Sequence, residues 1–282
     1  MNAYDLPKEY RDPKRALIAL LPVPYDGTSS YGKGADKGPA ALLKASQYVE
    51  LYDIETKTEV YTRGIYAESP VTEKRSPERM VKEVEKRVSD ILTRDKFCVL
   101  LGGEHSVTPG AVYAHAKKYK DLTVLQLDAH TDMRNEYHGS KNNHACAMAR
   151  IKKWNPVQVG IRSLDQGELK NIKTDRVFFA KDIYDNDTWM DKAIAKLSKN
   201  VYLTIDLDVF DPAFMPSTGT PEPGGLGWYH VLKFLKKVMA KRNVVGFDVV
   251  ELLPRKEGPG PDFLAAKLVY TLLSYRFAAS RA

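Results

Sequence analysis

Three ionisable side chains stand in strict alternation in the segment Val124-Leu-Gln-Leu-Asp128-Ala-His130-Thr-Asp132. Residues two apart on an extended chain point to one side, so Asp128, His130 and Asp132 converge. The apolar run before them marks a buried strand, where such a cluster would repel and resist desolvation without a cation. An Asp–His pair beside a helix cap would use the same residue types, but alternation of all three favours a ligand set. Asp206 and Asp208 repeat the spacing at the end of Val201-Tyr-Leu-Thr-Ile-Asp-Leu-Asp. Asp211, before Pro212, fits a turn. Two weaker signals join them. His105 follows Phe97-Cys-Val-Leu-Leu-Gly-Gly-Glu104, where a lone histidine is more often structural. Glu251 closes Val245-Gly-Phe-Asp-Val-Val, and Asp248 within that run faces the other way and reads as structural.

Four aspartates and two histidines suffice for two cations sharing bridging carboxylates. Oxygen-rich ligation with some imidazole favours Mn²⁺. Zn²⁺ prefers fewer ligands with more N or S, and Mg²⁺ seldom takes imidazole. Four carboxylate charges balance two divalent ions, and such ions pull the pKa of a shared water from 15.7 toward about 7. The implied chemistry is hydrolysis by a metal-activated water.

Holding four such chain ends together requires a sheet. Near-continuous apolar runs at 16–21, 97–101, 122–127, 157–161, 176–179, 201–205 and 244–250 read as strands buried on both faces, and the stretch 59–65 reads as a further strand. Helical patterns fall between them at 77–92, 108–119, 188–197, 229–241 and 262–277. Ser76-Pro77 supplies a helix start signal for the first of these. The βαβα order predicts an open, doubly wound parallel sheet of about eight strands, with ligands bound beyond its carboxyl ends. No linker or repeat interrupts residues 1–282, so one α/β domain is expected. The Gly/Pro-rich stretches 216–225 and 254–261 read as ordered loops over that edge.

Composition narrows the class. Hydrophobic residues make 43% of the chain and charged ones 28%, enough for a full core. No run approaches the ~18 apolar residues of a membrane span. The opening 15 residues lack the apolar stretch of a secretory signal. Two cysteines make no disulfide framework and point to a reduced, cytoplasmic setting. The net charge of +7 is spread along the chain, and Lys233, Lys236 and Lys237 recur at helical spacing as a solvated face. Neither nucleic acid nor membrane is expected as a partner.

Taken together, GGEHS at 102–106, DAHTD at 128–132, TIDLDVFDP at 204–212, TGTPEPGGL at 218–226 and FDVVELLP at 247–254 resemble the ureohydrolases, the arginase/agmatinase family. The stretch LPVPYDGTSSYGKGADKGPAALLKAS at 21–46 matches in kind. The resemblance implies a three-layer α/β/α sandwich, usually in homotrimers or homohexamers, with two Mn²⁺ per subunit. It places one ion on His105, Asp128, Asp132 and Asp206, and the other on Asp128, His130, Asp206 and Asp208. It makes Asp132 the proton carrier, His144 a proton shuttle or substrate contact, and Glu251 the partner of the substrate guanidinium. A carboxylate can grip two N–H groups of that planar cation at once. The TGTPEPGG loop and Met133-Arg-Asn-Glu-Tyr137 are more agmatinase-like than arginase-like, implying agmatine cleaved to putrescine and urea. Aminopropyl-agmatine, guanidinobutyrate, arginine and formiminoglutamate are the alternatives. Asp165 and Glu168 stand where the substrate's far end would lie, unless they only form a solvated helix start.

Some residues depart from the family pattern: Asn143 and Cys146 around His144, and the loop after Pro254. Cys98 and Cys146 read as packing. His115, beside Lys117 and Lys118, reads as a surface residue, His138 as the alternative shuttle, and His230 as uninvolved.

Overall fold

The computed structural model describes residues 3–256 and 258–278. Its strands are β1 (Ile18–Val23), β2 (Ile65–Ala67), β3 (Phe97–Gly102), β4 (Leu122–Leu127), β5 (Val157–Ile161), β6 (Val177–Phe179), β7 (Asn200–Asp206) and β8 (Asn243–Val250). They form one sheet in the order β2-β1-β3-β8-β7-β4-β5-β6, every neighbour parallel. The helices are α1 (Gly38–Ser46), α2 (Pro77–Thr93), α3 (Thr108–Lys118), α4 (Ala147–Ile151), α5 (Ala180–Ile183), α6 (Thr188–Ala195), α7 (Trp228–Lys241) and α8 (Gly260–Ala278).

Alternation along the strands explains the three layers. Phe97, Val99 and Leu101 of β3 and Val201, Leu203 and Ile205 of β7 enter one core with α1, α6, α7 and α8. Cys98 and Leu100 of β3 and Tyr202 of β7 face the opposite core, built with α2, α3 and α4. Within α2, Met80, Val84, Val88 and Ile91 form one buried stripe. Each such side chain contributes ~1.5–3 kcal/mol on burial. Ser76 caps this helix by accepting from the Arg79 N–H, with Pro77 at the first turn. By contrast, α8 is buried nearly all round from Leu268 to Tyr275. No helix among the described residues is long and apolar enough to cross a membrane.

The expected parallel sheet is present, with several local differences. The strand expected at 59–65 is a 3-10 turn at Val60–Arg63, and β2 begins only at Ile65. Helix α1 went unread, although Gly38-Pro39 opens a run of good helix formers. The 216–225 stretch does lie over the carboxyl edge, where Asp211 accepts from the N–H groups of Ala213, Gly224 and Gly225 as a turn former. Lys233, Lys236 and Lys237 do form a solvated face, paired with Asp187, Glu55 and Asp191.

His115 is a correction. It is wholly buried, because α3 is covered on that side by the sheet. Its Nδ1 donates to the Ala111 carbonyl at 2.8 Å, and its ring packs on Tyr202. Burial pushes its pKa down from 6.5 to about 4. The unfolded chain then binds this proton more readily than the fold does, so stability present above pH 6.5 is lost as pH falls toward 4. The expected loss from this one residue is about 3 kcal/mol at 1.36 kcal/mol per unit. Urea unfolding of wild type and His115→Gln at pH 7 and pH 4 tests this, because the variant's stability should fall less steeply. Equal slopes would show that the histidine does not titrate as described.

Candidate metal centre

The sheet order sets β3, β8, β7 and β4 side by side, and the candidate ligands follow the carboxyl ends of these strands. Gly103 makes the first turn possible, since a Cβ there would lie 2.0 Å from the Tyr25 carbonyl oxygen. His105 comes next, with its Nδ1 3.0 Å from Asp132 Oδ2, 3.1 Å from Asp128 Oδ2 and 3.4 Å from Asp206 Oδ2. His130 Nδ1 lies 2.9 Å from Asp208 Oδ2 and 3.7 Å from Asp128 Oδ1. Two donor groups result, His105–Asp128–Asp132 and Asp128–His130–Asp208, and they share Asp128. Asp206 borders both and accepts from the Asp208 N–H at 2.9 Å.

The donor set fits divalent cations. His105 Nδ1 is buried among carboxylate oxygens without a hydrogen-bond partner, an arrangement that a coordinated ion resolves. Electrostatics agree. Burial and then mutual repulsion raise the pKa values of Asp206, Asp208 and Asp132, the last to about 6. Burial opposes charge on His130 too, yet Asp208 and Asp128 hold it up at about 12. Left to itself the cluster gathers protons, whose place a bound divalent cation would take.

Supports surround these ligands. Gln158 Nε2 donates to Gln126 Oε1 at 2.6 Å, and Gln126 Nε2 donates to Asp128 Oδ2 at 2.6 Å. The Arg162 guanidinium donates to the carbonyls of Asp208 and Glu222 at 2.6 and 2.7 Å, tying the end of β7 to the 218–226 loop. None of these three was singled out from the sequence, because strand polarity inside an apolar run carries no label for its partner. Asp132 and Glu251 both sit at positive φ, 51° and 66°, a sparsely used conformation for such residues that clusters at functional sites.

In the same cleft, Glu251 Oε1 accepts from the His105 N–H at 2.8 Å and lies 3.7 Å from His144 Nδ1. His144 is placed by the 26–34 loop: its N–H donates to Thr28 Oγ1 at 2.9 Å, and Nε2 lies 3.2 Å from Ser30 Oγ. Thr28 in turn donates through Oγ1 to buried Glu104 at 2.6 Å. Burial disfavours charge on His144, but Glu251, Asp132 and Glu104 raise it to about 9. His138 is exposed and packs on the cleft-lining Tyr137 without lining the cleft itself. Cys146 is buried, and burial lifts its thiol to about 11.

The cleft holds about 240 Å³ and is lined by His130, Asp132, His144, Asp165, Asp208 and Glu251 among others. Asp165 and Glu168 form a capping box at its rim. Glu168 is buried, and its carboxylate already accepts from Thr131 Oγ1 and the N–H groups of Met133 and Asp165, so it pins the ligand-bearing segment. Asp165 remains about half exposed, 3.4 Å from Arg134.

Residues 16–274 match the Arginase family. The chain belongs to the arginase family. It is therefore a ureohydrolase-type enzyme, a hydrolase acting on guanidino C–N bonds. It is 40% identical to an N(1)-aminopropylagmatine ureohydrolase of Synechocystis sp. over 92% of this chain and 89% of that one. It is 34% identical to an agmatinase of Pyrococcus horikoshii, covering 96% of each. The structure of the agmatine ureohydrolase of Thermoplasma volcanium superposes with a TM-score of 0.88 at 31% identity, covering 99% of this chain and 95% of that one. The fold is thus arginase-like, a three-layer α/β/α sandwich.

Proposed function

We propose that this arginase-family domain is a binuclear manganese ureohydrolase acting on a linear guanidino amine with a cationic tail. The observation that carries the reading is the shared Asp128 between two donor groups, with Glu251 lining the same small cleft. His105, Asp128, Asp132 and Asp206 would hold one ion, and Asp128, His130, Asp206 and Asp208 the other. When bound, the ions supply Lewis acidity and a water made acidic enough to act as nucleophile near pH 7.

The chain's own residues do the rest. Glu251 grips the guanidinium through charge-assisted hydrogen bonds and fixes its plane. His144, steadied by Thr28 and Ser30, contacts the substrate beside it and exchanges protons with solvent. Asp132 takes a proton at its carboxylate and delivers it to the departing amine nitrogen, help worth about 10²–10⁴-fold. Asp165, half exposed at the rim, faces the cationic tail, and Glu168 supports it.

Agmatine, yielding putrescine and urea, is the shorter candidate. Its aminopropyl derivative is favoured by the higher identity to the Synechocystis relative, 40% against 34% for the agmatinase. Two buried, unpaired cysteines suit a cytoplasmic setting, and a homotrimer or homohexamer is the assembly proposed by family likeness. Urea release from Mn²⁺-loaded protein, offered agmatine, aminopropyl-agmatine, arginine and guanidinobutyrate, decides. Turnover of the two cationic-tailed compounds is expected. Turnover of only carboxylate-tailed compounds would overturn the tail assignment, and silence with two ions bound would overturn the catalytic reading.

A further inference from the structure

Beneath the metal centre lies a chain of buried polar groups, none of which lines the cleft. His105 Nε2 is 2.9 Å from Thr204 Oγ1, and Thr204 Oγ1 is 2.5 Å from Asp248 Oδ1. Asp248 Oδ2 accepts from the hydroxyls of Thr108 at 3.0 Å and Tyr202 at 2.9 Å. All five residues are essentially excluded from solvent. Thr204 and Asp248 are direct register partners on β7 and β8, so the parallel pairing itself sets their contact.

Proton counting gives the chain a direction. Three hydroxyls converge on Asp248, and hydroxyls can all donate only if the carboxylate accepts throughout. Thr204 has one proton, and the 2.5 Å contact commits it to Asp248. Its oxygen must then accept from His105, which puts the imidazole proton on Nε2. In the neutral ring the other nitrogen, Nδ1, then carries a lone pair aimed at Asp128, Asp132 and Asp206. A ring nitrogen in that state faces carboxylate oxygens productively only across a cation.

We propose that Asp248 is a positioning residue for the metal centre, holding His105 through the Thr204 hydroxyl in the tautomer whose Nδ1 can bind a cation. Removing the acceptor lets the ring proton move to Nδ1, where it pairs with a carboxylate and competes with the ion. Partners that orient a ligand histidine typically carry 10–100-fold in metal affinity. The inference rests on the binuclear reading above.

The test is bound manganese per chain after dialysis of the holoenzyme against buffers of graded free Mn²⁺. Thr204→Val should need 10–100-fold more free Mn²⁺ to fill the ion that uses His105, while Thr204→Ser, which restores the hydroxyl, should follow wild type. Asp248→Asn should shift in the same direction as Thr204→Val and serves as the second variant. Curves for Thr204→Val and Asp248→Asn that coincide with wild type would overturn the proposal. So would a Thr204→Ser curve displaced as far as that of Thr204→Val, because packing alone would then be responsible. Two ions bound normally with no urea released would instead count against the catalytic reading and leave this one standing.

Discussion

Asp132→Asn will lower kcat by about 10²–10⁴-fold while the chain keeps its fold. The backbone argument is specific. Asp132 sits at φ 51°, a left-handed conformation that asparagine tolerates as well as aspartate does. Its main-chain carbonyl accepts from the N–H groups of Met148 and Ala149, contacts indifferent to the side chain. Asparagine also matches the volume of the buried carboxylate. What the amide cannot do is take up a proton and pass it to a departing amine. A function exercised only in the transition state lowers kcat and kcat/KM together and leaves KM nearly unchanged. Urea release, manganese content and thermal melting measured on one preparation separate the possibilities. Normal turnover with two ions still bound would show that Asp132 carries no proton.

Much of the architecture was readable because the relevant signals are local. Strands buried on both faces write themselves as unbroken apolar runs, and all seven near-continuous runs agree with observed strands to within two residues at either end. Asp128, His130, Asp132, Asp206 and Asp208 stood out because period-two spacing of like chemistry is visible in one dimension. Glu251 had no such alternation, and its place beside His105 depends on β8 inserting between β3 and β7. That insertion is a property of the whole sheet. The same reasoning covers what was missed. Gln158 and Gln126 meet because β5 pairs with β4, and Glu104 meets Thr28 across 76 residues of sequence. Arg162 looks like any strand-end arginine until the 218–226 loop folds over it. His115 was misread for a different reason. Its lysine neighbours signalled solvent, but α3 packs against both α2 and the sheet and exposes only its last turn.

Glu251→Gln is expected to lower kcat/KM by about 10²–10³-fold, with most of the loss in KM. Glutamine keeps the oxygen that accepts from the His105 N–H, so the turn after β8 and the placement of His105 should survive. Its backbone contact to the Gly103 carbonyl is likewise untouched. The change is the loss of one negative charge opposite a cation that can never deprotonate. Truncating one partner of a hydrogen-bonded charge pair costs about 2–5 kcal/mol, and about 1.4 kcal/mol corresponds to a decade. The same substitution should let the pKa of His144 fall, since Glu251 is the foremost carboxylate holding it up. The two variants therefore make opposite demands on one assay: Asp132→Asn on kcat and Glu251→Gln on KM. Should Glu251→Gln instead depress kcat with KM unchanged, its carboxylate would be acting on the reacting atoms and not on the ground-state grip of the guanidinium. That result would move the substrate's anchoring charge elsewhere in the cleft, with Asp165 the next acidic group available.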